Sequence, residues 1–509
     1  MRALPASFRP YGWAPSTDEI ARLAGLDPVE VLRFDGNVPP EPPPSARPGA
    51  IAQRLAVVNE YPHGGYGPLV PAIARYAGVE PENVVLGAGA DDLIFLVARA
   101  FAGPGDEVAI DPQPTYPLFG IAAGVASADV GDTAPALTFS CRPNNPSGDL
   151  PDLPAARPLA VDEAYFEYGS ESAVGLLDDG VVVIRTFSKA FGLAGARIGY
   201  ALAAPDVAAE LRARQHPAPV STLSAELAVA ALADPPDVAP VLEERERVAE
   251  ALRALGLAPL PSWTNFLFVP VERARDLAAR LLARGLAVRQ FDDGIRLSVR
   301  DQADDDVLLE ALARELDRPS PVPPGGGRRA RLVRATAETR IRVRLALDGT
   351  GRVSVSTGAG LYDHFLEQLG FHGGLDLLVS GAGDLETGEH HTAEDAALAL
   401  GAALDRALGD RRGIARYGSA EVPMDDALAR VTVDLGGRPW SEIRLSTEPG
   451  LAAHVLGSLA QAGRLALHVE ATGHDPHHVA EAAFKATGRA LRAALAPEGA
   501  GVPSTKGLL

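Results

Sequence analysis

The chain has 509 residues, of which 47% are hydrophobic and 22% charged, so it has enough apolar side chains for two to four globular domains. Its formal net charge of −19 argues against a nucleic-acid-binding surface. The one cysteine, Cys141, excludes an internal disulfide and fits a reducing compartment. No apolar run approaches membrane-spanning length and residues 1–30 lack a signal-peptide core, so we expect a cytoplasmic protein.

Strand and helix patterns alternate from about residue 66, after a Pro-rich region at 1–60 that we expect to wrap a surface. This alternation predicts a mainly parallel sheet. The predicted elements are a helix at Leu93–Ala100 and strands at Glu107–Ile110, Leu159–Val161 and Val181–Ile184. Residues 238–318 indicate a small separate α+β domain, with a helix at Val241–Leu255 and strands at Phe266–Val269 and Ile295–Val299.

The segment Arg-Pro-Ser-Pro-Val-Pro-Pro-Gly-Gly-Gly at 318–327 is the clearest boundary, because prolines stiffen its first part and glycines free its second. We therefore place a linker at 319–328, between a domain at 1–318 and another at 329–509. Residues 331–345 then show the alternation of an exposed strand.

The second half of the chain repeats itself between residues 350 and 495. His390-His-Thr-Ala-Glu394 and His477-His-Val-Ala-Glu481 each precede a helix rich in Ala and Leu. Upstream of each motif, at a similar distance, lies a further histidine, His364 or His454. This self-similarity predicts an α+β domain built from two duplicated half-domains.

Lys189 stands on the turn that leaves the predicted strand Val181–Ile184, and it is one of only three lysines among 47 basic residues. Because the chain uses arginine for nearly all of its basic residues, we expect a lysine here to have a role that arginine cannot fill. Lysine can lose its proton and bond covalently to an aldehyde, and arginine cannot. For an average lysine a solvated surface role is favoured by about ten to one. The flanking Thr186, Ser188 and Arg197, which suit a phosphate, reverse that ratio.

Other residues of the same half suit the ring and phosphate of pyridoxal phosphate. Asp162, at a strand end, is placed to keep a pyridine nitrogen protonated. The backbone of Gly89-Ala90-Asp91 enters a helix and offers N–H groups to a phosphate. The candidates for the ring are Asn145 and Tyr165, which would hydrogen-bond its oxygen, and Tyr116, which would stack on it. Taken alone, the turn around Asn145 has about a one in five chance of being functional rather than only a turn. The pair Asp162-Glu163 has about the same chance of being functional rather than only a helix start.

Their joint order is specific and resembles the histidinol-phosphate aminotransferase branch of the fold-type-I pyridoxal phosphate enzymes over about residues 8–316. The matching motifs are Leu86-Gly-Ala-Gly-Ala-Asp91, Pro114-Thr-Tyr116, Pro143-Asn-Asn-Pro-Ser-Gly148, Val161-Asp-Glu-Ala-Tyr165 and Arg185-Thr-Phe-Ser-Lys-Ala-Phe191. The resemblance implies a dimer in which Tyr61 reaches the phosphate in the neighbouring subunit's site. It also implies substrate contacts from Tyr11, Asn37, Arg289 and Arg296. The intervals around Asn145 are shorter than in the family, so we expect a peripheral helix or strand to be missing.

The two His-His-x-x-Glu motifs predict metal ligands, because residues i and i+4 share one face of a helix. His390 then converges with Glu394, and His477 with Glu481. His391 and His478 lie one position on and can point at a different ion. Imidazole and carboxylate together suit Mn, Fe, Zn or similar ions. A lone histidine is a core or surface residue by roughly four to one, and two copies of the motif in one domain reverse that ratio.

Residues 330–509 closely resemble imidazoleglycerol-phosphate dehydratase, through segments such as Arg334-Ala-Thr-Ala-Glu-Thr339, both histidine motifs and Ser504-Thr-Lys-Gly507. The resemblance implies two manganese ions, each held by three histidines and one glutamate. The matching ligands are His364, His390, His391, Glu394, His468, His477, His478 and Glu481. Substrate-phosphate positions match Arg416, Arg438, Ser504 and Lys506, and other pocket positions match Glu338, Gln368, His372 and Lys485.

Two departures from that family bear on the orientation of the ligands. Gly388-Glu389 stands where the family has an aspartate before His-His, and Asp475 stands where asparagine is usual. Glu338 and Glu394 both remain candidates for moving protons.

Together the resemblances imply consecutive reactions of histidine biosynthesis. Residues 329–509 would dehydrate imidazoleglycerol phosphate to imidazole acetol phosphate, and residues 1–318 would transaminate that product with glutamate to histidinol phosphate. They also imply a homo-oligomer, with a dimer for the first half and a large symmetric assembly for the second. Two alternatives stay open: an aminotransferase or decarboxylase for another amino acid in the first half, and a metal-binding assembly scaffold.

Overall fold

The computed structural model describes residues 14–26, 28–40, 42–46, 51, 54–55, 58–62, 66–169, 171–322, 328–349, 351–448, 450–499 and 501–504. It divides into two compact units, one of residues 1–46 and 50–322 and one of residues 47–49 and 323–509. The division between Val322 and Pro323 falls inside the predicted linker. Tyr11 and Lys506 lie outside the described residues. Within the described ranges, no helix is long and apolar enough to span a bilayer.

The first unit alternates strands and helices along most of its length. Its helices are α1 (Thr17–Ala24), α2 (Leu69–Ala77), α3 (Ala90–Phe101), α4 (Leu118–Val125), α5 (Pro205–Ala213), α6 (Thr222–Ala233), α7 (Ala239–Ala254), α8 (Ala274–Leu282) and α9 (Gln302–Glu315). Its strands are β1 (Leu32–Arg33), β2 (Val84–Gly87), β3 (Glu107–Ile110), β4 (Asp129–Val130), β5 (Pro135–Cys141), β6 (Leu159–Asp162), β7 (Val181–Thr186), β8 (Gly199–Leu202), β9 (Phe266–Pro270), β10 (Leu286–Ala287), β11 (Arg289–Gln290) and β12 (Gly294–Ser298).

A seven-stranded sheet in the order β2-β8-β7-β6-β5-β3-β4 forms the centre of this unit. All of its pairs are parallel except the two that β8 makes, so the predicted mainly parallel sheet is confirmed. Val182 and Ile184 pack with α3 and α4 on one face, and Val181 and Val183 pack with α2 and α6 on the other. Burial on both faces explains the near-continuous apolar runs of these strands.

The predicted small domain contains the antiparallel sheet β11-β12-β9 and the parallel pair β1-β10. Helices α7, α8 and α9 share one core with these strands. Residues 142–158, which connect β5 to β6, contain no helix. This short connection accounts for the small interval between Asn145 and Asp162.

The second unit contains two halves with the same sequence of elements. The first half comprises β13 (Arg329–Ala335), β14 (Thr339–Ala346), β15 (Val353–Ser356), α10 (Gly360–Gly373), β16 (Asp376–Gly383) and α11 (His390–Leu408). The second comprises β17 (Tyr417–Met424), β18 (Ala427–Asp434), β19 (Trp440–Leu445), α12 (Ala452–Ala462), β20 (Ala466–Thr472) and α13 (Pro476–Leu495). The sheet orders β13-β14-β16-β15 and β17-β18-β20-β19 correspond strand for strand. One hydrophobic core contains residues of both halves.

The prediction of a single strand over residues 331–345 is wrong, because the segment is a hairpin of β13 and β14. The Thr336 hydroxyl accepts hydrogen bonds from the backbone N–H groups of Glu338 (3.2 Å) and Thr339 (3.0 Å). A threonine side chain that bonds nearby backbone groups competes with a strand ladder and favours a turn. The alternating pattern nevertheless holds within β14, where Ile341 and Val343 are buried.

Candidate active sites

Lys189, Asp162 and Asn145 meet at one edge of the large sheet, because β5, β6 and β7 are parallel and their carboxyl ends lie together. They line a cavity of about 500 Å³. The same cavity is lined by the other described candidates of the first unit except Tyr61, namely Asn37, Ala90, Asp91, Tyr116, Tyr165, Thr186, Ser188, Arg197, Arg289 and Arg296. Tyr61 is 83% exposed and does not line it, so its contact with a neighbouring subunit stays a prediction.

The cavity shifts the pKa values of its two central groups in opposite directions. Desolvation, reinforced by the positive charge of Arg296, lowers the pKa of Lys189 to about 8. Burial raises the pKa of the Asp162 carboxyl to about 7. The Asp162 Oδ1 atom accepts a hydrogen bond from the Ala164 N–H at 3.0 Å. Near neutral pH, Lys189 is therefore close to releasing a proton and Asp162 is poised to ionise when a cation faces it.

Asp162→Asn is expected to stabilise the cofactor-free chain while it impairs transamination. The folded-state pKa of about 7 lies above the ordinary value of 3.8, so the native chain loses stability as pH rises from about 4 to about 7. Asparagine does not titrate, so the gain in free energy of unfolding should grow from pH 5 to 7 and level off above pH 7. Urea unfolding at each pH measures it. The exposed Asp152→Asn is the matched control, and an equal pH-dependent gain there would contradict the assignment.

The phosphate-binding candidates lie where α3 begins. Gly89 has φ +88° and precedes the first helical residue, Ala90. The positive φ favours glycine here, and a Cβ atom at this position would lie 2.7 Å from the Arg197 Nη2 atom, so the arginine side chain would have to move. Arg197 Nη2 in turn lies 3.0 Å from an oxygen of Asp91. The helix N-terminus and the guanidinium group together favour an anion at this point.

The substrate-side candidates occupy the small-domain wall of the cavity. Arg289 and Arg296 are directly opposite each other on β11 and β12, so both side chains lie on one face of that sheet. Arg296 donates to Asn145 Oδ1 at 2.6 Å and to the Asp35 carbonyl at 2.7 Å. Asn37 donates to the Tyr165 hydroxyl at 2.9 Å, so it positions that tyrosine.

Arg33, Asp35 and Cys141 are among the cavity-lining residues that sequence reasoning did not assign to the site. Arg33 and Asp35 form a two-bond ion pair at 2.8–2.9 Å, and no motif marks them. Cys141 also faces the cavity, in register with Asp162 on the next strand. Its position one strand over from Asp162 follows only from the sheet order.

In the second unit, the predicted helical spacing brings each motif glutamate to its histidine. The His477 Nε2 atom lies 3.2 Å from Glu481 Oε2, and the His390 Nε2 atom lies 3.3 Å from Glu394 Oε2. The i, i+4 convergence is confirmed for both pairs.

A third ligand joins each pair from a different helix. His364, on α10, places its Nε2 atom 3.7 Å from Glu481 Oε2, and its ring stacks on that of His477 with centroids 5.7 Å apart. We call His364, His477 and Glu481 cluster A. His454, on α12, places its Nε2 atom 3.2 Å from Glu394 Oε2. We call His390, Glu394 and His454 cluster B. In both clusters the ligand atoms lie within 4.8 Å of one another.

The structure does not bring His468, a predicted metal ligand, to either cluster. His468 lies on the exposed side of β20, with its Nδ1 atom 3.5 Å from Glu442 Oε2, and it belongs to neither cluster. His454 takes its place because α12 corresponds to α10 in the duplicated fold, so His454 corresponds to His364. The sequence contained this signal, since His454 repeats the upstream position of His364.

His391 and His478 also stand outside clusters A and B. Each has a carboxylate at its Nδ1 atom, Asp384 at 3.1–3.2 Å and Asp426 at 2.7 Å. Glu338 lies near His391, with Oε2 3.8 Å from the same Nδ1 atom. Asp384, four residues before Gly388, therefore presents a carboxylate to His391. Gly388 itself has φ +119° and ψ 173°, a conformation that only glycine readily adopts.

Asp475, the second departure, caps α13. Its side chain accepts a hydrogen bond from the His477 N–H at 2.8 Å, a role that asparagine fills equally well.

Asp475→Asn should therefore leave the thermal unfolding temperature of the metal-free chain almost unchanged. Asp475→Ala should cost about 1 kcal/mol, because it leaves an N-terminal N–H of the helix without its acceptor. Differential scanning calorimetry checks both. An alanine variant as stable as the native chain would count against this cap.

The remaining dehydratase candidates extend along α10 and α13, which pack together. Gln368 and His372 follow His364 at four-residue spacing, and Lys485 follows Glu481. The Lys485 ammonium lies 2.7 Å from Glu481 Oε1, so it holds the glutamate oxygen that does not face the histidines. Burial, followed by the charges of Lys485 and Arg489, lowers the pKa of His372.

Arg416 is tied to the end of the described chain. Its guanidinium binds both oxygens of Asp434 at 2.7 and 3.1 Å and donates to the Pro503 carbonyl at 2.9 Å. It therefore stands next to the segment that carries Ser504. Arg438 is exposed between β18 and β19.

Comparison with known proteins agrees with this division. The family profile of aminotransferase class I and II matches residues 30–134 and 120–312, and that of imidazoleglycerol-phosphate dehydratase matches residues 357–491. A histidinol-phosphate aminotransferase from Sinorhizobium meliloti, solved with pyridoxal-5'-phosphate, superimposes with a TM-score of 0.54 at 26% identity, covering 61% of this chain and 98% of that one.

Relatives of the second unit are more similar in sequence. The imidazoleglycerol-phosphate dehydratase of Salinispora arenicola is 52% identical over 204 residues, covering 36% of this chain and 99% of that protein. The dehydratase of Methanococcoides burtonii is 46% identical over 190 residues, covering 36% of this chain and 100% of that protein. The chain is thus a fusion of two enzymes. It belongs to the aminotransferase class I and II family over its first unit and to the imidazoleglycerol-phosphate dehydratase family over its second.

Proposed function

We propose that this chain catalyses two consecutive steps of histidine biosynthesis. The second unit dehydrates imidazoleglycerol phosphate to imidazole acetol phosphate. The first unit transfers an amino group from glutamate to that ketone, giving histidinol phosphate. The observation that carries the proposal is the presence in one chain of a lysine–aspartate cavity in a unit similar to a histidinol-phosphate aminotransferase and of two histidine–glutamate clusters in a unit similar to imidazoleglycerol-phosphate dehydratases.

In the first unit the residues fit pyridoxal phosphate, because a buried carboxylate, an anion cradle and a deprotonable lysine line one cavity. Pyridoxal phosphate supplies an electron sink for the carbon that loses its proton. Lys189 moves that proton, which its pKa of about 8 allows near neutral pH. Asp162 keeps the ring nitrogen protonated, Asn145 and Tyr165 hydrogen-bond the ring oxygen, and Tyr116 covers the ring.

The same cavity selects an anionic substrate. Arg296 and Arg289 lie on one face of the small-domain sheet and bind the phosphate or carboxylate of the substrate. Asn37 fixes Tyr165 through its 2.9 Å hydrogen bond.

In the second unit the donor set fits manganese. Clusters A and B each offer two imidazole nitrogens and one carboxylate oxygen, a mixture that suits Mn²⁺. The ion supplies charge stabilisation to the imidazole ring as the hydroxyl group leaves. Glu338 or Glu394 moves the protons, with Glu394 also a ligand candidate of cluster B, and the substrate phosphate is bound by Arg416, Arg438, Ser504 and Lys506.

Each cluster is one histidine short of the three that the dehydratase family implies. His391 and His478 remain as candidates for the missing ligands: His391 lies in a third group with Glu338 and Asp384, and neither histidine reaches cluster A or B within the described chain. We therefore infer that a neighbouring copy supplies them, which makes the dehydratase unit active only as a homo-oligomer. The cytoplasmic location stays a prediction.

The decisive experiment supplies the purified full chain with imidazoleglycerol phosphate, Mn²⁺, pyridoxal phosphate and glutamate, and identifies the product by mass spectrometry. Histidinol phosphate is the expected product. Accumulation of imidazole acetol phosphate would assign the first unit to another substrate, and a panel of amino acids would then separate an aminotransferase from a decarboxylase. A chain that binds Mn²⁺ without turnover would favour a scaffold.

A further inference from the structure

His391 and His478, two predicted metal ligands that lie outside clusters A and B, are each held by an aspartate. His391 Nδ1 lies 3.2 Å from Asp384 Oδ1 and 3.1 Å from Asp384 Oδ2. His478 Nδ1 lies 2.7 Å from Asp426 Oδ1. With Nδ1 engaged by a carboxylate, the Nε2 atom of each ring is the one left for another ligand. The nearest carboxylate oxygen to Nε2 of His478 is Oδ2 of Asp425, at 3.6 Å, beyond hydrogen-bond distance.

The two aspartates reach equivalent histidines from different places in the duplicated fold. Asp426 lies in the turn of the β17–β18 hairpin, whereas Asp384 follows β16 and precedes α11. The hairpin turn that corresponds to Asp426 in the first half carries Glu338, whose carboxylate is 3.8 Å from His391 Nδ1 and beyond hydrogen-bond distance. An aspartate therefore contacts the histidine Nδ1 atom in both halves, but Asp384 and Asp426 do not occupy corresponding positions of the duplicated fold.

Both aspartates are themselves fixed. Asp384 Oδ2 accepts from the Thr387 hydroxyl at 2.9 Å. Asp426 Oδ2 accepts from the backbone N–H groups of His474 at 2.6 Å and Asp475 at 3.0 Å. A carboxylate anchored in this way sets the direction of the ring it binds, which is how neighbouring carboxylates orient metal-ligating histidines in general.

We propose that Asp384 and Asp426 are positioning residues that orient His391 and His478 so that their Nε2 atoms complete the metal sites. Asp384 supplies the carboxylate for His391 because residue 388 is a glycine and has no side chain. Glu338 does not take part in this contact. This inference rests on the proposed dehydratase function.

The test measures Mn²⁺ binding to the full chain by isothermal titration calorimetry and by the electron paramagnetic resonance spectrum of bound Mn²⁺. Asp384→Ala and Asp426→Ala should each weaken binding at one class of site by about 10- to 100-fold. Asp384→Asn, which keeps an acceptor for the Nδ1–H, should lose less. The matched control is Glu386→Gln, which removes an exposed carboxylate from the same turn without a histidine contact, and it should bind Mn²⁺ like the native chain.

The unfolding temperature of the metal-free variants separates positioning from folding. A loss of Mn²⁺ affinity with an unchanged metal-free unfolding temperature supports the proposal. Native affinity and an unchanged spectrum in both alanine variants would overturn it, while dehydration by the native chain continues to support the proposed function. A native chain that neither binds Mn²⁺ nor dehydrates imidazoleglycerol phosphate would overturn the proposed function itself.

Discussion

Lys189→Ala should abolish transamination and leave dehydration intact. Lys189 is the deprotonable lysine of the first cavity, and its pKa of about 8 suits proton transfer near neutral pH. Loss of a positioned acid–base group typically costs about 10²- to 10⁴-fold in rate, and loss of the covalent link to the cofactor adds to this. Lys189→Arg should fail as well, because arginine keeps the charge but does not release the proton.

Two measurements separate the activities in these variants. Amino transfer is followed as 2-oxoglutarate formed from glutamate and imidazole acetol phosphate, and dehydration as ketone formed from imidazoleglycerol phosphate. Lys485→Ala is the reciprocal control, because it frees Glu481 and should reduce dehydration alone. Loss of both activities in Lys189→Ala would refute independent sites.

His454→Ala should remove dehydration, whereas His468→Ala should not. His454 is one of three ligand candidates in cluster B, with its Nε2 atom 3.2 Å from Glu394. Removal of a direct ligand should weaken Mn²⁺ binding at that site by more than the roughly 10- to 100-fold that loss of an orienting partner costs. His468 lies on the exposed face of β20, so its replacement should change affinity by no more than about twofold.

His454 and His468 lie in the same half-domain and both variants lose an imidazole group. The His468→Ala variant therefore controls for any effect of removing a histidine from this half-domain. Calorimetry with Mn²⁺ and the rate of ketone formation are the readouts. The unfolding temperature of the metal-free variants shows whether the second unit is folded, because transamination reports only on the first unit. A strong effect in His468→Ala together with native behaviour in His454→Ala would restore the original assignment.

The difference between these two histidines shows where sequence reasoning stopped. The i, i+4 spacing fixes His390 with Glu394 and His477 with Glu481, because a helix carries both members of each pair on one face. The third ligand comes from another helix in the opposite half-domain. His364 meets a helix of the second half and His454 meets a helix of the first. Motif spacing along the chain does not predict that each half-domain contributes a histidine to the cluster of the other half.

The turn at residues 336–338 was missed for a similar reason. The alternating pattern of residues 331–345 is the same in one long strand and in a hairpin of two strands, so periodicity alone does not separate them. In the structure, Thr336 makes the turn locally, and Asp395 accepts hydrogen bonds from Arg334 of β13 (2.5 Å) and from the Thr339 hydroxyl of β14. That carboxylate belongs to α11, more than 50 residues away in the chain.

The sequence by itself determined the two families, the parallel sheet with Lys189 and Asp162 at its strand ends, and the duplicated histidine motifs. These features depend on local order, in which side-chain period and motif spacing translate directly into strands, helix faces and turns. Only the tertiary structure decided that His454 joins Glu394 in cluster B, that His364 joins Glu481 in cluster A, and that Arg33 and Asp35 line the same cavity as Lys189. Those contacts join residues far apart in the chain, and they exist because packing of the core brings their elements together.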